Sequence, residues 1–164
     1  MVSKDIDKYN LDELKKQYEV LRNKYKLPSF SELNVLFDIE EISSDTELLL
    51  KKLRRVISDR ISGYMRFIEI LLNPSNAPMY FFKLIKKLDS SDIENLMKLY
   101  ETMGKFELEL IALDLDYSEK KEAEFIVKSY KLFNEIIKSK LLELIDKLIK
   151  NDSDKKDSER GYFG

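Results

Sequence analysis

The sequence predicts an all-α protein, a single-domain helical bundle of about four long and two short helices. Three observations carry that prediction. Only 4 Gly and 3 Pro occur in 164 residues, too few for the turns that several strands would need. Apolar residues recur at spacings of three and four along most of the chain, the period of one helix face. Several of these runs open on Ser or Asn followed three residues later by Glu, the signature of a capped helix start.

Asn10 with Glu13 begins the first run, in which Leu11, Leu14, Tyr18, Leu21 and Tyr25 share a face. It ends near Lys26, because Pro28 disfavours helix at Leu27. Ser29 with Glu32 opens a short helix carrying Phe30, Leu33, Leu36 and Phe37. After the acidic connection DIEEISSD, Ser44 with Glu47 caps the spine of the molecule, which runs to Asn73. Its stripe is Leu49, Leu53, Val56, Ile57, Ile61, Tyr64, Phe67, Ile68 and Leu71. NPSNAP breaks the chain, and a short apolar helix follows with Met79, Phe81, Phe82, Leu84, Ile85 and Leu88. Ser91 with Glu94 starts the fifth helix, whose face is read as Ile93, Leu96, Met97, Tyr100, Met103, Leu108, Ile111 and Leu115, with Gly104 within it. The last helix runs from Ser118 to Lys150, and its first half is apolar on two sides. Residues 1–150 are thus the bundle, and 151–164, NDSDKKDSERGYFG, read as a disordered polar tail.

Composition narrows the chemistry. The chain has no Cys and no His, which removes thiolate and imidazole from nucleophilic, acid–base and metal-ligating roles. No metal or cofactor is expected. The N-terminus, MVSKDIDKYN, resembles neither a signal nor a transit peptide, and charges interrupt every apolar cluster before it reaches membrane-spanning length. The expectation is a cytoplasmic protein without a membrane partner. A net charge of −2 leaves nucleic-acid binding open only to a segregated basic face.

The segments LPSFSELNVLFDIE, LLLKKLRRVISDRISGYMRFIEILLNP and KKEAEFI resemble those of small, uncharacterised helical proteins of archaeal type. The resemblance spans most of residues 27–130 and rests on caps and core positions. It implies a helical fold and carries no activity with it.

Four features are candidates for function. Arg60 projects into the apolar stripe of the spine helix and Glu107 into that of the fifth, at ~100° per residue. The expectation is a buried Arg60–Glu107 ion pair that fixes packing, with an anion-binding cleft at Arg60 as the alternative. Lys51, Lys52, Arg54, Arg55 and Arg66 are read as the outer faces of the spine helix, a surface for RNA, the ribosome or a protein. Glu119 and Glu122 with Glu143 and Asp146 resemble the ExxE…ExxD pattern of MazG-type nucleotide pyrophosphohydrolases, in which two pairs converge on magnesium. Here no turn separates them, and one straight helix would hold Glu122 and Glu143 about 31 Å apart. Finally, Tyr162 and Phe163 end the charged tail and would suit docking into a partner pocket.

Together these readings point to a non-enzymatic protein-interaction module with a protein partner, a homodimer being one form of it. An RNA- or ribosome-associated factor using the basic face is the alternative, and a magnesium-dependent nucleotide hydrolase a distant third.

Overall fold

In the computed structural model, residues 2–42 and 48–160 are described, with side chains over 10–42, 48–75 and 77–150. The chain is all-α, as expected: every regular element among the described residues is helical. The long elements are α1 (Val2–Tyr25), α3 (Leu49–Leu72) and α5 (Ser90–Leu115), and the unbroken run of α6 (Glu119–Leu132), a π turn (Phe133–Ile137) and α7 (Lys138–Arg160). The short ones are α2 (Phe30–Phe37) and α4 (Met79–Ile85). No helix among the described residues is long and apolar enough to cross a membrane.

The helix ends follow local chemistry. Lys26, just past α1, takes a left-handed φ of 56°, which terminates the helix as a C-terminal cap. At α2, Ser29 Oγ accepts from Glu32 N–H, and Glu32 accepts from Ser29 N–H at 2.7 Å, the expected capping box. That arrangement holds the Glu32 carboxyl below its ordinary range, Ser29 being the main cause. The box of α5 is not Ser91 with Glu94. It is Asp89 with Asp92, each side chain accepting the other's backbone N–H at 2.9 Å. α1 starts well before Asn10, at Val2. The cap expected at Ser44 and Glu47 lies outside the described residues. α7 runs on through Arg160 rather than ending at Lys150, since nothing from Asn151 to Arg160 is Gly or Pro.

Contacts group the chain into two compact units, Met1–Ile61 with Glu107–Phe133, and Ser62–Phe106 with Asn134–Gly164. In the first, Tyr18 is fully buried, donates its hydroxyl to the Pro28 carbonyl at 2.6 Å, and meets Phe30 edge-on at 5.5 Å. Phe37 meets Phe133 edge-on at 5.0 Å, and Leu53, Ile57, Ile61, Phe125 and Ile126 are buried. In the second, Ile68 and Leu71 of α3, Leu96, Leu99 and Met103 of α5, Ile137 of the π turn and Leu141 of α7 are buried.

The π turn has a legible cause. Buried Ser129, Phe133, Ile137 and Leu141 are each four apart, and on a regular helix at ~100° per residue these three steps drift about 120°. A π turn accommodates one extra residue and absorbs most of that drift, so one apolar face persists from α6 into α7.

In the second unit Lys147 reaches Asp89 at 2.8 Å and Asp92 at 2.5 Å, tying α7 to the α5 cap. The Lys147 hydrogen bond, then the Asp92 N–H, hold the Asp89 carboxyl below its ordinary value. A carboxyl bound more weakly to its proton in the folded chain stabilises above that value, and the contribution is lost as pH falls through the folded pKa. Lys147→Met should therefore lower thermal stability at neutral pH. The melting curves of wild type and variant should converge as pH drops below about 4; a gap constant with pH would refute the linkage.

Candidate interaction surface

α5 is apolar on two faces. Leu96, Leu99, Met103, Phe106, Leu110 and Leu113 are buried, a stripe of alternating three- and four-residue steps. A second stripe, about 130° round the helix at ~100° per residue, holds Ile93, Met97, Tyr100, Gly104, Leu108, Ile111 and Leu115. Four of these are exposed, Met97 at 51%, Leu108 at 70%, Ile111 at 57% and Leu115 at 84%, while Ile93, Tyr100 and Gly104 are half-buried. Leu108, Ile111 and Leu115, expected in the core, are thus at the surface, because α5 has two apolar faces and the bundle covers the other one. Single exposed apolar residues are ordinary, whereas Leu108, Ile111 and Leu115 stand together, one turn apart.

The ion pair that is buried lies elsewhere than expected. Arg60 is only half-buried and pairs with Asp38. Asp38 follows α2 in a left-handed conformation that Asp tolerates well, its N–H bonded to the Asn34 carbonyl. Glu107 is also only half-buried. The buried charge is Arg54, which the sequence reading placed on the outer basic face. Its Nε lies 2.7 Å from Glu122 Oε2, and its Nη2 donates to Asp114 at 2.6 Å. Arg54 and Glu122 side chains are 3% and 0% exposed, while Asp114 opens to water at 59%. The Nε–Oε2 contact lacks the alignment of a hydrogen bond, and Glu122 Oε1 and Ser129 Oγ, also buried, have no hydrogen-bond partner among the described residues. Burial pushes the Glu122 carboxyl above its ordinary range, and the Arg54 charge opposes that shift.

The basic face is correspondingly reduced. Arg54 is removed from it, and Lys51 is half-buried, with Nζ 6.0 Å from the Tyr117 ring centroid. Lys52, Arg55 and Arg66 are exposed. Lys52, Arg55 and Arg60 line a groove of about 530 Å³ together with Asp38, Glu41 and Asp59, so its charges balance and it does not favour an anion. Tyr162 and Phe163 lie outside the described residues.

The carboxylates of the ExxE…ExxD pattern are engaged separately. Glu119 pairs with Lys24 at 3.3 Å, and Glu122 is sealed against Arg54. Glu143 and Asp146 line a groove of about 490 Å³ beside Asp92, Lys140 and Lys147. A magnesium site needs carboxylate oxygens open to an octahedron of ligands and water, and Glu122 offers none. Asp116, in the turn before α6, pairs with Lys121 at 2.7 Å, and Ser118 caps the helix. No protein family, curated protein or solved structure matches the chain.

Proposed function

We propose that the protein is a non-enzymatic, cytoplasmic protein-interaction module whose working surface is the exposed apolar face of α5. One observation carries this reading: Leu108, Ile111 and Leu115 form a row more than half exposed, on a helix whose core-packing side is separately complete. Such a face suits helix-in-groove or helix-on-helix recognition through residues one turn apart. The basic-face alternative now rests on Lys52, Arg55 and Arg66 alone, and no exposed aromatic is interleaved among them for base stacking.

A photo-crosslinking amino acid placed at Ile111 tests the reading. In native cytosol it should yield a discrete protein adduct that disappears when Leu108 and Leu115 are both changed to Glu. The same probe at Lys120, on an exposed charged face of α6, should yield none. Equal labelling from both positions, or none from Ile111, would count against an interaction surface on α5.

A further inference from the structure

We propose that α4 docks on an anionic lipid bilayer, its first turn entering the headgroup region and its lysines meeting the phosphates. α4 is seven residues, Met79–Ile85, inside the second unit. Leu84 is buried, Phe81 and Ile85 are half-buried, and the Phe81 ring meets Phe67 edge-on at 6.4 Å. These residues fix the helix to its unit. The opposite side, about 100° wide at ~100° per residue, holds Met79, Phe82, Lys83 and Lys86, all exposed. Met79 is 82% and Phe82 41% exposed, with Tyr80 beside them at 57%, so these side chains give the fold little burial.

The charge on this surface has one sign. From Ile70 to Leu88 the chain has no Asp or Glu, and Lys83, Lys86 and Lys87 meet no opposite charge among the described residues. By contrast, Lys98 of the same unit pairs with Glu94, and Lys147 with Asp89 and Asp92. A groove of about 490 Å³ lined by Ala77, Met79, Phe82, Lys83 and Lys86 has no carboxylate in its lining. The grooves at Arg60 and at Lys147 carry both signs. Anionic lipids give a bilayer surface a negative potential that attracts such unpaired lysines.

Apolar and cationic side chains also take different ends of the helix. Lys83 stands one turn behind Met79, and Lys86 one turn behind Phe82, each about 6 Å along the axis. An interfacial segment buries its apolar side chains about 5–10 Å into the headgroup boundary and keeps its cations among the phosphates, and the spacing on α4 matches that depth. Lying on a bilayer needs none of the ~20-residue apolar length that crossing one does. The expectation of no membrane partner rests on that spanning length and does not extend to this contact.

Co-sedimentation of the full chain with vesicles tests the proposal. The wild type should bind vesicles of phosphatidylcholine and phosphatidylglycerol in equal parts and leave vesicles of phosphatidylcholine alone. The chain has no Trp, so Met79→Trp supplies a single reporter, whose emission should shift to the blue on the anionic vesicles. K83Q/K86Q should weaken binding at least ~10-fold, while K120Q/K131Q, at exposed lysines of α6, should leave it nearly unchanged. Met79→Ser, at a side chain 82% exposed, should weaken binding without moving the thermal midpoint, which separates a lost contact from a lost fold. No binding to the anionic vesicles at low salt overturns the proposal. So does binding in which the M79W emission does not shift, or in which K120Q/K131Q costs as much as K83Q/K86Q. If both vesicle types are ignored while a crosslinker at Met79 captures an acidic protein from cytosol, the surface is a protein site and the lipid proposal fails.

Discussion

Arg54→Met should cost about 3–5 kcal/mol of folding stability, because it leaves the Glu122 carboxylate buried without its cation. Glu122 is 0% exposed, and its Oε1 already lacks a hydrogen-bond partner among the described residues, so removal of Arg54 leaves the charge with no compensation in place. The double variant R54M/E122L removes both ions and should return to near the wild-type value or exceed it. Asp114, being more than half exposed, keeps its hydration when Arg54 is gone. Urea midpoints at unchanged m give the comparison, with R55M as the exposed control expected within about 0.5 kcal/mol. The pH dependence has a definite sign. Glu122 holds its proton more tightly in the folded chain than in the unfolded one. Its ionisation therefore costs stability as pH rises through the ordinary carboxylate range near 4.3, and costs nothing below it. Arg54 offsets that cost, so the R54M deficit should be largest at neutral pH and should shrink in acid. A deficit no larger than that of R55M would show that the buried pair is not what holds these helices.

Why the sequence pointed to Arg60 instead of Arg54 is a matter of helical phase. Taking Val56, Tyr64 and Phe67 as core and passing over Leu50 and Met65 rotates the apparent centre of the α3 stripe by roughly 40° at ~100° per residue. Val56, Tyr64 and Phe67 are only half-buried, while Leu50 is 2% and Met65 8% exposed. In the true phase Arg60 lies at one edge of the buried face, where it reaches Asp38, and Arg54 lies at the other. The long aliphatic stem of arginine makes either edge equally plausible from sequence. What burial of Arg54 requires is a carboxylate on another element. Glu122 sits one turn into α6, where an acidic residue is expected for the helix dipole alone, so its inward aim left no mark of its own. The fold class itself was legible, because the scarcity of Gly and Pro and the three-four periodicity are local properties. The capping box at Ser29 was legible for the same reason. The π turn was not read, because the four-residue steps from Ser129 to Leu141 emerge only once the burial of Ser129 is known. Which of two apolar faces the bundle covers is a tertiary choice, and α5 shows that local pattern does not make it.

That choice has a measurable consequence on α5. Leu110→Ala should cost about 2–5 kcal/mol, the range for emptying a packed leucine site, because Leu110 is 6% exposed in the stripe completed by Phe106 and Leu113. Two residues earlier, Leu108→Ala should stay within about 0.5 kcal/mol, since a side chain 70% exposed surrenders little burial on truncation. Leu115→Ala should behave like Leu108→Ala, and Ile111→Lys should still fold. The measurements belong at low protein concentration, because association that buries this face would add an apparent stability by mass action. Leu108→Ala costing as much as Leu110→Ala in the dilute protein would mean that the protomer itself covers this face, leaving no surface for a partner. The expected asymmetry separates two uses of one helix. The Leu110 stripe holds the bundle together, whereas Leu108, Ile111 and Leu115, each more than half exposed, give the monomer little burial, which is what the proposed interaction surface requires.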